Sequence, residues 1–193
     1  MTNSPESFIK RIIYPSDYLP TQNTNQQVLI DSLIADMESR LKMECSKISF
    51  LDEWKKSPPA EALGMDLMEY MKNSAKDSFW YDDYHNFDRF REDYRQKFGK
   101  EAYVSEPTRR EWNLAKHISK VQRDEAIKRL QVYKEWFLEN IMTDETLVVL
   151  PIEEISPRYR DVMPEPFAPP YAASGLMLSP ILGAPELTIP GEF

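Results

Sequence analysis

At 193 residues the chain is long enough for one domain with an appended piece, and with 41% hydrophobic and 29% charged residues its make-up is that of an ordinary globular protein. Its 32 acidic against 24 basic residues give a formal charge of −8, which makes the chain a poor partner for a nucleic-acid backbone, because that affinity comes from Lys and Arg displacing counterions. The single cysteine, Cys45, excludes an intramolecular disulfide, and no apolar run reaches the length of a signal-peptide core or a membrane span. A reducing, cytoplasmic setting is the expectation.

Residues 10–14, Lys-Arg-Ile-Ile-Tyr, carry β-branched and aromatic side chains and stop at Pro15, which predicts a short strand. Thr24 or Asn25 can cap a following helix, on which Ile30, Leu33, Ile34, Met37 and Leu41 share one face. Ser49 opens a short turn around Trp54, closed by Pro58 and Pro59. Residues 60–76 read as a helix with Leu63, Leu67, Tyr70 and Met71 together, although Gly64 weakens its first turn.

An aromatic block follows over 79–87, and Tyr84, Phe87, Phe90 or Arg91, Tyr94 and Phe98 continue at helical spacing up to Gly99, a natural left-handed stop. The stripe either packs into a core or lines a channel or interface, where an apolar ring with a polar handle is favoured; the core is the expectation. Ser105 and Pro107 open the next helix. Ser119 and Gln122 then form a capping-box pattern at the head of the longest helix, which runs to about Ile141. Ile127, Leu130, Phe137 and Ile141 make its apolar face, widened by Tyr133 and Trp136, and Glu125 and Arg129 form an i,i+4 pair.

After Met142 the character changes. The apolar run 146–152 predicts a strand covered on both faces, as in parallel sheets. Nine of the fifteen prolines then lie between Pro151 and Pro190. Near the end, Leu187, Thr188 and Ile189 sit between Pro185 and Pro190, which predicts a last short strand that joins the sheet. The chain thus divides into a strand and loop over 1–20, a helical region over 21–142, and a strand, proline-rich loop and terminal strand over 143–193.

No arrangement of residues carries obvious chemistry. Asp82, Asp83 and His85 contain metal-ligating types, but adjacent aspartates diverge on a helix or a strand and no second cluster supports them, so they read as helix-starting charges. His117 stands alone near a helix end. Glu153 and Glu154 are adjacent, the wrong spacing for shared acid–base work. Arg158 and Arg160 flank Tyr159 and either pin the proline-rich loop to a carboxylate or bind an anion, with pinning the expectation. Cys45 reads as a small buried or half-buried side chain. The five glycines are scattered, which excludes a phosphate-cradling or oxyanion loop, and there is no Gly-x-Ser-x-Gly.

Several stretches coincide with one family. Lys-Arg-Ile-Ile-Tyr-Pro-Ser-Asp over 10–17, Phe-Trp-Tyr-Asp-Asp-Tyr-His-Asn-Phe-Asp over 79–88 and Leu-Val-Val-Leu-Pro-Ile over 147–152 are among them. Ser-Pro-Arg-Tyr-Arg-Asp over 156–161 and Leu-Ser-Pro-Ile-Leu-Gly-Ala-Pro-Glu-Leu over 178–187 complete the set. On these residues the chain resembles the C-terminal half of a fungal member of the amidase signature family. The resemblance implies an α/β fold in which this chain is a mostly helical fragment with a few strands of a large mixed sheet. It implies carboxamide hydrolysis by a Ser-Ser-Lys triad through an acyl-enzyme. In that family the triad and its Gly/Ser-rich loop belong to the N-terminal half. No residue here matches them, so no catalytic residue is carried over, and no cofactor or metal is implied.

The expectation is a partial amidase domain, inactive alone, with unpartnered strand edges near Ile12, Val148 and Thr188 that favour marginal stability or association. The partners that follow are an N-terminal amidase half or further copies of the chain, with a small amide substrate only on completion. The alternative is a non-catalytic helical interaction protein that uses the aromatic face of 79–98.

Overall fold

Neighbouring residues on a strand point to opposite faces, and both Ile12 and Ile13 are fully buried, so the strand that carries them is covered on both sides. In the computed structural model, which describes residues 8–151, 159, 161 and 175–189, this strand is β1 (Arg11–Pro15). It is the centre of a three-stranded sheet with β2 (Cys45–Ile48) on one side and β3 (Thr146–Val148) on the other, both parallel to it. The register places Ile12 opposite Cys45 and Leu147, and Ile13 opposite Ser46 and Val148.

Each face of the sheet has its own cover. Ile12 and Tyr14 pack with Ile30 and Ile34 of α1 (Thr24–Leu41), Leu19 and Val149. Ile13 faces the other way, into a larger core built by α2 (Phe50–Lys56), α7 (Lys120–Asn140) and α8 (Gly175–Leu182). The chain is therefore α/β, mostly helical with a few strands, and the strands described are all parallel.

Aromatic side chains fill the larger core. Trp54 of α2 meets Trp136 of α7 at 4.9 Å between ring centroids and Tyr70 at 5.4 Å, while Phe50 meets Phe137 edge-on at 4.9 Å. Both indoles of this core find acceptors: Trp54 Nε1 donates to the Met65 carbonyl at 3.0 Å, and Trp136 Nε1 to the Ser57 carbonyl at 2.7 Å. Satisfying these N–H groups lets large rings go inside without a stranded donor.

Several helix starts follow from local chemistry. Asn23, one residue before the expected caps, accepts from the Asn25 and Gln26 amides at 3.1 Å. Ser49 caps α2 and Ser119 caps α7, the latter with its full capping box. Other expectations are corrected. Residues 60–76 do not form one helix: Leu63, Gly64 and Asn73 take positive φ values of 51°, 81° and 63°, which an α-helix cannot contain. In its place stand a 3₁₀ turn at Ala60–Ala62 and α3 (Leu67–Tyr70), restarted by the Asp66 cap, with Leu63 exposed. Residues 187–189 join no strand; Leu187 and Ile189 are exposed, and the ordered element before them is the helix α8, which carries Pro180. The strand β2 was not foreseen.

A smaller lobe extends from the core. A π-helical turn at Lys76–Trp80, with Ser78 and Trp80 buried, leads into α4 (Tyr81–His85), α5 (Asp88–Phe98) and α6 (Glu106–Ala115). Trp80, Ala115 and Ile118 form its apolar centre, with Tyr81 and Tyr84 against them.

The packing sets a mutational contrast on one helix. Phe137→Ala, at a fully buried position, should cost about 3–5 kcal/mol, whereas Leu138→Ala, at a half-exposed one, should stay within about 1 kcal/mol of the parent; urea unfolding of the two variants checks this.

Candidate functional site

In α/β sheets ligand crevices lie beyond the carboxyl ends of the strands, where the strand order reverses. Here the chain builds β2 on one side of β1 and β3 on the other, so the reversal falls at β1. Asp17 follows that strand and Ser49 follows β2. Ser49 Oγ donates to Asp17 Oδ1 at 2.7 Å and accepts from the Asp52 amide at 3.1 Å. The other Asp17 oxygen accepts from the amides of Phe50 and Leu51 at the head of α2. Both oxygens of the carboxylate are occupied in holding a helix start to the sheet, and the serine hydroxyl donates to that carboxylate rather than to a lysine or a histidine. The pair clasps two elements and does not form an activated nucleophile.

The aromatic lobe separates the three residues that could have suggested a metal. Asp82 receives Arg123 through Nε and Nη2, both at 3.0 Å. Asp83 Oδ2 accepts from Trp112 Nε1 at 3.1 Å. His85 Nδ1 lies 2.8 Å from Asp88 Oδ2. Each has a different partner, and among the described residues no three His, Cys, Asp or Glu side chains gather as a metal would need.

Arg91 is the organising residue of this lobe. Its guanidinium lies 3.9 Å from the centre of the Tyr84 ring and 4.7 Å from that of Trp112, donates to the Tyr84 carbonyl at 2.9 Å and pairs with Asp88. A cation within reach of two aromatic rings, themselves set nearly at right angles, is attracted by both quadrupoles while its N–H groups keep their hydrogen bonds. The rest of α5 is poorly held: the helix buries no residue and packs extensively against no other element. The aromatic stripe, expected in a core, is instead open, with Phe87, Phe90 and Phe98 45%, 51% and 52% exposed. Sequence reasoning set Arg91 beside Phe90 only as an alternative stripe position. The usable signal was its seven-residue spacing from Tyr84, which brings cation and ring together across the break between α4 and α5.

Two titrating groups here are displaced. The hydrogen bond from His85, with Arg91 adding to it, holds the Asp88 carboxyl below its usual range. Burial, with Asp83 adding to it, pushes the Glu111 carboxyl up.

Elsewhere, Cys45 is half-buried on β2, and burial followed by Glu38 raises its thiol pKa, which keeps it protonated and a poor nucleophile. His117 is exposed just beyond α6. Glu153, Glu154, Arg158 and Arg160 lie outside the described residues, and Tyr159 between the arginines is exposed. An open groove of about 290 Å³ runs between Pro58, Pro59 and α7, with Glu61, Glu135 and Glu139 on its walls. Gln131 holds Glu135 at 2.7 Å. Among the described residues no serine hydroxyl is hydrogen-bonded to a lysine or a histidine, and no helix is long and apolar enough to cross a membrane. No family model, curated protein or solved structure matches the chain.

Two tests follow. Arg91→Ala should release α5, seen as faster amide exchange over 88–98 with exchange in α7 unchanged, and Arg91→Lys should recover little because a single ammonium lacks the fork that reaches the Tyr84 carbonyl and Asp88 together. Because Asp88 has a lowered pKa when folded, its ionised form supports the lobe above the unfolded carboxyl value, and that support is lost as pH falls through the folded value. His85→Ala should raise the Asp88 pKa in a carboxyl-detected NMR titration.

Proposed function

We propose that this chain is the C-terminal part of an amidase of the amidase signature type, which supplies part of the sheet and its covering helices to an enzyme acting on carboxamide C–N bonds. The observation that carries the reading is the strand order around β1. The stretch 10–17 gives the central strand and its Asp17 clasp, and β3 starts the 147–152 stretch on its other side. The 178–187 stretch gives the end of α8, whose Leu178 and Leu182 enter the core below Ile13. A parallel sheet covered on both faces, with its order reversing at the central strand, is the architecture in which catalytic loops gather at the carboxyl edge. Hydrolysis needs a positioned nucleophile and oxyanion donors, because only groups that stabilise the transition state accelerate the step. The described residues supply neither.

The purified chain should leave a panel of acyl amides and anilides intact, and should support turnover when mixed with an N-terminal amidase half bearing the paired serines and lysine. Turnover by the chain alone would contradict this reading, as would a folded mixture that forms a complex and stays inactive.

The open aromatic stripe of α5 favours a second reading, a helical protein-contact surface. A photo-crosslinking residue in place of Phe90 should capture the purified chain itself or the N-terminal half more efficiently than the same residue in place of Tyr103, which is 90% exposed on a loop. Equal, low capture at both positions counts against it.

A further inference from the structure

We draw no further inference here: the strongest candidate, the open aromatic face of α5 at Phe90 and Phe98, carries none because nothing in the structure shows what covers it.

Discussion

Tyr133, Trp136 and Phe137 occupy little more than one turn of α7, and between them they reach much of the larger core. Trp136 packs on Trp54 and donates to the Ser57 carbonyl at the end of α2; Tyr133 faces the same Trp54 ring; Phe137 closes on Phe50, at the start of α2. Ile13 of the central strand and Leu178 and Leu182 of α8 belong to the same cluster. Burying one such ring removes about 150–250 Å² from water, which at about 25 cal/mol per Å² is an upper value near 4–6 kcal/mol. The ion pairs are mostly exposed and mostly span three or four residues of one helix, a class worth about 0–1 kcal/mol each. The aromatic wedge on α7, rather than the abundant surface charge, holds helices and sheet together.

Much of that body was legible because single residues decided it. The pair Ile12 and Ile13 forced a strand covered on both sides, and the run 146–148 gave its parallel neighbour. Ser49 and Ser119 capped helices where their spacing said they would. The failures share a cause, which is that backbone conformation at a few positions overrode pattern. Leu63, Gly64 and Asn73 turn left-handed and divide what looked like one apolar helix. Residues 45–48 hold Cys, Ser and Lys, with Ile48 the one large apolar residue, and became a strand through pairing with β1, a long-range term that no local window contains. The segment 175–182 hid a helix behind Pro180.

The site was less legible than the fold. The block 79–98 was visible as aromatic, but periodicity cannot say whether a stripe faces a core or solvent. The deciding feature is Arg91, whose contacts with the Tyr84 and Trp112 rings satisfy the lobe locally and leave the far end of α5 without cover. The metal-like triple Asp82, Asp83 and His85 dissolves for a related reason, since Arg123, Trp112 and Asp88 each claim one member.

The molecule thus consists of a body fixed by buried rings and a helix fixed by one arginine. The two proposed roles draw on different parts: the sheet and its carboxyl edge for amide hydrolysis, the stripe of α5 for association. Native-state hydrogen exchange, at a concentration where the chain is monomeric, tests that division most directly. Amides of β1 and of α7 around Tyr133 to Phe137 should exchange only through global unfolding, and their opening free energies should fall with urea at the global slope. Amides over 88–98 should exchange through a local opening that urea barely changes. A single opening free energy and a single urea slope shared by α5, α7 and β1 would contradict the account.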